Sequence, residues 1–490
     1  MTGLILKNPA SVPLAKIPLL PPVEFFAEFR RGLAAKKKVL SLFAAKLEAG
    51  VFLFACLGDY QRRAMEVFRA AAPDCYPSLS PDYPAVQLFE REIFEQYGIK
   101  PEGHPWLKPV RLEGELHERD SYPFYGMQGE ELHEVAVGPV HAGVIEPGHF
   151  RFQCQGELVH HLEIQLGYQH RGVEQLMLAP PLAGRWALAE SICGDATVAY
   201  AICHAQLVEA LAGMEIGPVA VKTRVFALEM ERIAMHLADL AGIATDIAYQ
   251  PGSAAFGRIR TAVINQMLRI CGSRFGRGWI RPGGVKFPLR PGSLSEIRQT
   301  LRHVRSDAAI IADLMFHAPS VLSRLETTGR IQPETAEKIG LTGLVGRAAG
   351  IDEDMRRDLP SGFYLQADYQ PCVLTEGDAW ARTFLRMREI ESSLSLLEKM
   401  LDGGIAGTVC GGMVGPLKPH HFAISVAEGW RGGIVHCAIT GEQGEAVRYK
   451  IKDPSFHNWR GLALVLRGNA ISDFPLCNKS HNLSYCGFDL

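Results

Sequence analysis

The sequence lacks the glycine-rich loops that hold nucleotides. It contains neither a Gly-x-Gly-x-x-Gly run after a strand nor a Gly-x-x-x-x-Gly-Lys-Ser/Thr loop, so a nucleotide site of the common kinds is unsupported. It also lacks an intact Cys-x-x-Cys, and its 11 cysteines are scattered rather than clustered as an iron–sulfur site requires. If the protein takes part in redox chemistry, its electrons must therefore come from a partner.

The chain also has no run of about 20 uninterrupted apolar residues, the length that a membrane helix needs. Its first 16 residues lack the basic start and the apolar core of a signal peptide. A net charge of −2 gives no argument for nucleic acid as a partner. The odd number of cysteines, at long spacings, favours reduced thiols in a cytoplasmic compartment. We expect a soluble protein that can dock on a membrane subunit.

The length and composition predict more than one folded unit. A chain of 490 residues with 47% hydrophobic and 21% charged residues should form two or three units, one of them large. The Pro-rich segment 1–22 is predicted to be an extended arm, 23–111 a small α+β domain and the polar segment 112–136 a linker. Residues 137–490 are predicted to be mostly helical with small β segments. The fold class is therefore α+β.

Hydrophobic periodicity predicts the elements of the large domain. Residues 149–154 and 159–163 flank Gln-Gly-Glu and predict a β-hairpin, and residues 433–440 and 446–451 predict a second β pair. Apolar residues at helical spacing predict long helices at 187–212, 221–240, 258–271, 294–314 and 379–401.

Two polar clusters have both a structural and a functional interpretation. A buried Glu174 beside Arg171 is either a proton relay or a structural ion pair, and composition alone favours the ion pair. Glu229, Arg232 and His236 are three and four residues apart on one helix, which predicts a solvated or interface face.

A loop rich in Gly and Pro, residues 138–149, carries His141, Glu146 and His149. Its backbone is preset and non-helical, so these side chains could point into a shared cavity. A histidine there could donate a hydrogen bond or a proton to a small carbonyl compound. Local sequence alone favours surface histidines in a turn.

Two sets of motifs resemble one superfamily of respiratory enzymes. Residues 89–105, Phe-Glu-Arg-Glu-Ile-Phe-Glu-Gln-Tyr-Gly-Ile-Lys-Pro-Glu-Gly-His-Pro, resemble the signature of the small quinone-module subunit of NADH:quinone oxidoreductase, complex I. From Gly138 onward the chain is similar to the larger quinone-module subunit and to the large subunits of membrane-bound energy-converting NiFe hydrogenases. The fusion of both in one chain is typical of formate-hydrogenlyase and hydrogenase-4 type large subunits. The resemblance covers nearly everything after Val23.

The resemblance implies where a metal would bind, and it shows that the ligands have changed. Cys193 matches the first cysteine of Arg-x-Cys-Gly-x-Cys, but Ala196 stands in place of the second. Ser484 and Gly487 stand where the C-terminal Asp-Pro-Cys-x-x-Cys has its two thiols. Soft metals need thiolate ligands, and one thiolate cannot replace four. We expect no conventional NiFe site. An Asp-Pro-Ser-Phe run from Asp453 resembles the second clamp, but it lies too early in the chain.

The resemblance also implies roles for residues outside the clamps. Arg171-Gly-Val-Glu174 matches the Arg-Gly-x-Glu motif of NiFe hydrogenases, in which the glutamate relays protons to the metal. In complex I a histidine of the corresponding loop binds the quinone headgroup, and His149 or His141 could take that place. Asp246 corresponds best to the partner aspartate. The tyrosine that completes the complex I headgroup site has no counterpart here, which argues against quinone reduction at the ordinary site.

The resemblance finally implies a redox-coupling subunit of a membrane-attached assembly, held peripherally on the cytoplasmic side of an inner (plasma) membrane of bacterial or archaeal type. Its cavity would accept electrons from a small iron–sulfur partner and pass protons toward antiporter-like membrane subunits. A quinone is the candidate ligand, and hydrogen is not expected as a substrate. The alternatives are a non-catalytic coupling scaffold with a vestigial cavity, a quinone-reducing complex I-type subunit, and a hydrogenase with unusual ligands. The candidate catalytic residues are Glu174, His141, His149 and Asp246, and the candidate cofactor-binding residues are Cys193 and Arg171.

Overall fold

The structure, a computed structural model, describes residues 3–112, 122–141, 145–405, 407 and 412–490. The predicted linker and the Gly- and Pro-rich loop lie partly outside these residues, at 113–121 and 142–144. The chain is 46% helical and 20% strand, which confirms the predicted mixture of helix and sheet.

The strands are β1 (Leu4–Leu6), β2 (Ala10–Pro13), β3 (Leu19–Leu20), β4 (Lys38–Leu47), β5 (Gly50–Asp59), β6 (Ala64–Ala71), β7 (Cys75–Pro77), β8 (Lys100–Glu102), β9 (Leu132–Val137), β10 (His149–Gln155), β11 (Leu158–Gln165), β12 (Ile280–Arg281), β13 (Gly284–Val285), β14 (His421–Glu428), β15 (Gly433–Thr440) and β16 (Ala446–Lys452).

The α-helices are α1 (Pro22–Ala34), α2 (Gln87–Tyr97), α3 (Val173–Leu176), α4 (Trp186–Ala189), α5 (Thr197–Ala212), α6 (Pro218–Asp246), α7 (Gln250–Cys271), α8 (Leu294–Phe316), α9 (Pro319–Leu325), α10 (Pro333–Ile339), α11 (Gly343–Ala348), α12 (Met355–Asp358), α13 (Ala379–Asp402), α14 (Ser455–Val465), α15 (Phe474–His481) and α16 (Tyr485–Asp489).

The N-terminal sheet has the strand order β1-β6-β5-β4, and β3 pairs in parallel with β6. Helix α1 packs on this sheet through aromatic side chains: Phe25 and Phe29 both contact the ring of Phe68 on β6. The segment that the sequence predicts as an extended arm contains the short strands β1, β2 and β3. Its strands are divided between two sheets, because β2 pairs with β14 while β1 and β3 pair with β6.

A second sheet, with the order β16-β15-β14-β2, packs on the first. The rings of Phe54 on β5 and Phe422 on β14 are stacked with centroids 6.0 Å apart, within a shared apolar core. The hairpin predicted between 149 and 163 is confirmed as β10 and β11, and the second β pair is confirmed as β15 and β16. In the third sheet, β11-β10-β9, His149 begins the central strand β10, and His141 lies in the loop before it.

The large helical core is centred on α5 and α6. Helix α5 is apolar all round and almost fully buried between α6 and the strands β14 and β15, as expected for a central helix. Helix α6 packs against α7 and α13. Among the described helices, none is by itself long and apolar enough to span a membrane. One pair bent by 79°, Pro291–Phe316 with Pro319–Leu325, would pass on length and composition.

Candidate functional site

The site is built on a break in a helix that the sequence predicted to be continuous over 187–212. Helix α4 ends before helix α5 begins, and the turn between them presents Cys193. Glu231 of α6 fixes the start of α5, because its carboxylate accepts the backbone N–H of Val198 at 2.6 Å and of Ala199 at 3.2 Å. The prediction of one helix was wrong because apolar spacing continues through the turn. The carboxylate that caps α5 is distant in the sequence.

The Cys193 thiol is buried among polar groups. It donates a hydrogen bond to Asp195 Oδ1 at 3.0 Å, and its sulfur accepts one from Arg431 Nη1 at 3.4 Å. The Ser484 hydroxyl oxygen lies 3.1 Å from the same sulfur. A hydrogen bond with Cys486, followed by burial and the charge of Asp195, raises the pKa of Cys193 well above its usual range. Cys193 is therefore a neutral thiol at neutral pH.

Arg431 supplies the positive charge of the site. It lies in the turn between β14 and β15, where Gly432 has a φ of 143° and a Cβ would lie 2.9 Å from a neighbouring backbone atom. Its guanidinium forks the Asp195 carboxylate at 2.6 and 2.8 Å and lies over the Trp430 ring, 3.8 Å from the centroid. Its Nε donates to the Asn482 carbonyl at 2.5 Å. Burial lowers the pKa of Arg431, but the Asp195 carboxylate outweighs burial, so the charge is permanent.

Ser484 shapes the C-terminal turn that faces Cys193. Its hydroxyl accepts the Gly487 N–H at 2.9 Å and thereby caps helix α16. Its own N–H donates to Ser455 Oγ at 2.9 Å, and its carbonyl accepts the Trp459 indole N–H at 3.3 Å. A thiol at this position would be a weaker acceptor for the cap. The serine therefore has a structural function of its own where a metal thiolate would stand.

The space beside Gly487 is closed by Asp453. A Cβ at position 487 would lie 2.5 Å from Asp453 Oδ2 and 2.8 Å from Ser484 Oγ. Asp453 Oδ2 also accepts the Tyr200 hydroxyl, and Oδ1 accepts the Ser455 N–H at 2.6 Å. Burial raises the pKa of Asp453, although these hydrogen bonds act in the opposite direction. The Asp-Pro-Ser-Phe run, too early in the sequence to be the clamp, thus places its aspartate at the clamp in space.

These residues do not fit a NiFe centre. The described residues contain no group of three or more His, Cys, Asp or Glu side chains placed to hold a metal ion. The Arg431 cation lies 3.4 Å from the one matching thiol, and Asp453 fills the volume that a side chain at 487 would need. Ala196, at the other changed position, is buried and supplies only backbone hydrogen bonds to Cys193 and Tyr200. A metal with soft-ligand chemistry has no donor set here.

Cys486 belongs to the site, although its spacing in the sequence did not reveal it. Its thiol is close enough to that of Cys193 to raise the Cys193 pKa, and its sulfur lies 3.5 Å from Ser484 Oγ. Cys477, nine residues earlier, is buried elsewhere, beside Arg382. No local pattern identifies Cys486. Only the folding of the C-terminal turn onto the turn between α4 and α5 brings the two thiols together.

Arg171 ties these two turns to each other. Its Nη1 donates to the Ser191 carbonyl at 2.8 Å, and its Nη2 donates to the carbonyls of Ile192 at 2.9 Å and Cys486 at 3.2 Å. These partners are backbone atoms, so Arg171 does not form the ion pair with Glu174 that composition suggested. Arg171 therefore fixes the backbone of the turn that carries Cys193 relative to the backbone of the turn that carries Cys486.

Glu174 lies in a different cluster. Its carboxylate accepts hydrogen bonds from Arg448 at 2.9 Å, Lys450 at 3.0 Å and the Ile451 N–H at 2.9 Å. Burial acts to raise the pKa of Glu174, but Lys450 and Arg448 outweigh it and lower the pKa to about 2. Glu174 borders a cavity of about 480 Å³. A permanently ionised, doubly paired carboxylate favours the structural interpretation, and the proton relay stays a prediction.

The two histidines of the Gly- and Pro-rich loop are bound to the loop itself. His141 Nε2 lies 3.0 Å from the Gly148 carbonyl, and His149 Nδ1 lies 2.9 Å from a glycine carbonyl of the same loop. Arg151 Nε donates to His149 Nε2 at 3.2 Å, so the His149 proton is on Nδ1. Both ring nitrogens of His149 are thus in use. Asp246 is exposed at the end of α6, and no described contact joins it to either histidine.

The polar face of α6 was predicted to be a solvated or interface face, and its burial shows that the solvated alternative is wrong. The side chains of Glu229, Arg232 and His236 are fully buried. His236 Nε2 contacts Glu389 at 2.9 Å, and Arg356 contacts Glu229 at 3.4 Å. Helical spacing cannot distinguish a solvated charged face from a buried one when the partners lie 153 and 127 residues away.

The fold and the site together define a class of protein: a hydrogenase-large-subunit-like domain whose two opposed turns carry a changed clamp, fused to a small α+β domain. Comparison with known proteins agrees with this class. Residues 48–128 match the family described as respiratory-chain NADH dehydrogenase, 30 Kd subunit. Residues 246–411 match the family described as respiratory-chain NADH dehydrogenase, 49 Kd subunit.

Individual relatives cover most of the chain. Formate hydrogenlyase subunit 5 of Escherichia coli (strain K12) is 28% identical over 428 residues, which are 82% of this chain and 74% of that protein. An NADH-quinone oxidoreductase subunit of Bacillus cereus is 30% identical over 350 residues, 69% of this chain and 93% of that protein. A solved structure of an archaeal membrane-bound sulfane sulfur reductase matches with a TM-score of 0.69 and 25% identity, covering 75% of this chain and 100% of that one.

The chain belongs to the family of the 30 kDa and 49 kDa subunits of complex I, with both subunits fused in one polypeptide. Its homologues include hydrogenase subunits of the formate hydrogenlyase and hydrogenase-4 type and subunits of membrane-bound respiratory complexes. The resemblance found in the sequence motifs is therefore confirmed.

Proposed function

We propose that the chain is the large subunit of a membrane-attached, energy-converting oxidoreductase that works without a NiFe centre. Its reaction site is the place where the turn of Cys193 meets the turn of Ser484. The observation that carries this proposal is the Arg431 guanidinium, which is bonded to Asp195 and lies 3.4 Å from the Cys193 sulfur. A permanent cation, Arg431, therefore lies beside the Cys193 thiol, in the space that a metal bound to this sulfur would occupy.

The relatives support membership of a larger assembly. Components of formate hydrogenlyase, hydrogenase-4 and NADH-quinone oxidoreductase are parts of oxidoreductases, and the matching solved structure is an archaeal respiratory membrane complex. We propose the same setting for this chain: a peripheral position on the cytoplasmic side of the membrane. A small iron–sulfur partner supplies electrons, and antiporter-like membrane subunits receive the coupled protons.

The polar groups at the site suit reduction of a small acceptor. The Arg431 cation stabilises negative charge that develops on a bound acceptor. Burial raises the pKa of Asp453, which accepts the Tyr200 hydroxyl beside the same turns, so its carboxyl group is placed to act as a proton donor. The site therefore offers a positive charge and a proton together, which is what addition of electrons to a neutral acceptor requires.

Metal and hydrogen assays on the purified complex test this function. We expect less than stoichiometric nickel in the whole complex and no hydrogen production from a reduced low-potential donor. The iron–sulfur signals of the partner should be reoxidised by an added acceptor, and this step should slow in Arg431→Met. Stoichiometric nickel would overturn the proposal, and so would a partner that no acceptor reoxidises.

A non-catalytic coupling scaffold is the second candidate, and one observation favours it. Arg431 and Asp195 form a closed ion pair in the middle of the site, which could serve only to fix the two turns. If no acceptor reoxidises the partner in the wild type and Arg431→Met lowers only the stability, the scaffold is the better description. Quinone reduction has a separate assay: quinone analogues would stabilise the wild type but not His149→Ala.

A further inference from the structure

We propose that Cys193 and Cys486 form a redox-active dithiol that reduces small compounds containing a sulfur–sulfur bond. The proposal rests on the proposed function in one respect, because the electrons that restore the dithiol come from its iron–sulfur partner. It adds a substrate class and assigns catalysis to two thiols. The chain thereby uses cysteine sulfur itself as the two-electron carrier.

The structure brings the two thiols together through a shared hydrogen bond. Ser484 Oγ lies 3.1 Å from the Cys193 sulfur and 3.5 Å from the Cys486 sulfur. Because this oxygen already accepts the Gly487 N–H, its own proton is free to be donated to either sulfur. Arg171 binds backbone carbonyls of both turns and holds them side by side. A disulfide then needs only a local approach of the sulfurs to roughly 2 Å.

The two thiols differ in access, and the difference assigns their roles. Cys193 is 2% exposed, whereas Cys486 is only partly buried. An incoming compound can reach Cys486 first, so Cys486 is the attacking thiol. Cys193 is the resolving thiol, and the Arg431 cation, 3.4 Å from its sulfur, stabilises the thiolate from which it attacks.

The chemistry balances in three steps. Cys486 attacks one sulfur of R–S–S–R′, its proton passes to the leaving sulfur, and Cys486–S–S–R and R′–SH form. Cys193 then attacks the Cys486 sulfur, its proton passes to the leaving RS⁻, and the Cys193–Cys486 disulfide and RSH form. Two electrons from the iron–sulfur partner and two protons finally restore both thiols. Organic disulfides and polysulfides share this chemistry.

The same chain contains a matched control. Cys56 and Cys437 also interact with each other, but both are fully buried in the apolar core between the two large sheets. Burial is the largest cause of the raised pKa of Cys437, and the hydrogen bond with Cys56 follows it. This second pair should stay reduced and unreactive under conditions that oxidise the first.

The test uses the purified complex with its iron–sulfur partner. The reduced complex is freed of excess reductant and given bis(2-hydroxyethyl) disulfide in one arm and inorganic polysulfide in the other. Released thiol is measured, and the state of each cysteine is read by differential alkylation and mass spectrometry. We expect turnover in the wild type and in Cys437→Ala, and loss of turnover in Cys193→Ser and Cys486→Ser. Cys193→Ser should also accumulate a mixed disulfide on Cys486.

The outcomes separate this inference from the proposed function. If the partner is reoxidised equally well in the wild type and in both serine variants, the dithiol is overturned while the proposed function stands. If no acceptor reoxidises the partner in the wild type, the proposed function fails. Turnover with polysulfide alone, or with the organic disulfide alone, identifies the substrate within the class. A Cys193→Ser protein without a mixed disulfide on Cys486 overturns the assigned order of attack.

Discussion

The Arg431 guanidinium lies 3.4 Å from the Cys193 sulfur while it forks the Asp195 carboxylate. This relationship joins two turns that are 238 residues apart in the chain. Cys193 remains a thiol despite this cation, because its interaction with Cys486, burial and the charge of Asp195 together raise its pKa well above the usual range. The centre of the site is thus a closed set of charge and hydrogen bonds rather than an open metal position.

Removal of the Arg431 charge should weaken this centre. Arg431→Met leaves the Asp195 carboxylate without its partner, at a cost of about 1–3 kcal/mol in the free energy of unfolding. Arg431→Lys keeps the charge but loses the fork, so its loss should be smaller. Thermal denaturation of both variants measures the difference. Equal losses in the two variants would show that the fork, and not the charge, stabilises the site.

Restoration of a cysteine at the changed clamp should be unfavourable. In Gly487→Cys the new Cβ would lie 2.5 Å from Asp453 Oδ2, so the side chain must displace the carboxylate. Overpacking of this kind costs about 1–3 kcal/mol. The double variant Gly487→Cys with Asp453→Ala frees that volume, and its loss should be smaller than the sum of the two single losses. Unfolding midpoints of the three variants give the coupling, and simple additivity would contradict the clash.

Asp453 should set the pH dependence of turnover. Burial raises the pKa of its carboxyl group, so the proton that it can supply is held at low pH and lost as the pH rises through that raised pKa. The amide of Asp453→Asn cannot release a proton. Acceptor reduction by this variant should therefore be slower at every pH, and its rate should not show the decline at high pH that the wild type shows. Tyr200→Phe removes one hydrogen bond that stabilises the ionised form of Asp453. In this variant the decline of the rate at high pH should therefore move to higher pH. An unchanged profile in both variants would exclude Asp453.

The sequence predicts local elements well and long-range contacts poorly. The β10–β11 hairpin and the pairing of β15 with β16 depend on turn residues and alternation, which are local. The changed clamp positions at Cys193 and Ser484 came from the resemblance to a family. No local sequence pattern predicts that Arg431 and Cys486 lie beside Cys193. Each depends on how distant segments pack, and the same is true of the break before α5, which a carboxylate of α6 fixes.

A buried ion cluster beneath the site carries an unequal number of charges. Glu428 accepts a hydrogen bond from Arg347 at 2.9 Å, and Asp354 pairs with Arg356 at 2.6 Å. Among the described residues, four buried carboxylates share three guanidinium groups, so one carboxyl group has no cation of its own. The seven members of this ion cluster are Glu229, Asp354, Glu389, Glu428, Arg232, Arg347 and Arg356. Burial and the nearby Asp354 charge raise the pKa of Glu428 to about 7, which marks it as the carboxyl group that holds the proton.

Stability should therefore fall with rising pH in a manner that depends on Glu428. Its folded pKa, about 7, is above the unfolded value, so its contribution is complete below the unfolded pKa and is lost as the pH rises through 7. Glu428→Gln mimics the protonated form and should unfold at nearly the wild-type temperature at pH 5 but at a higher one at pH 8. Glu389, whose pKa is lowered well below its usual range by Arg347 despite burial, is the matched control. Glu389→Gln should destabilise the protein at both pH values, and a Glu428→Gln protein that follows the wild-type pH dependence would contradict the assignment.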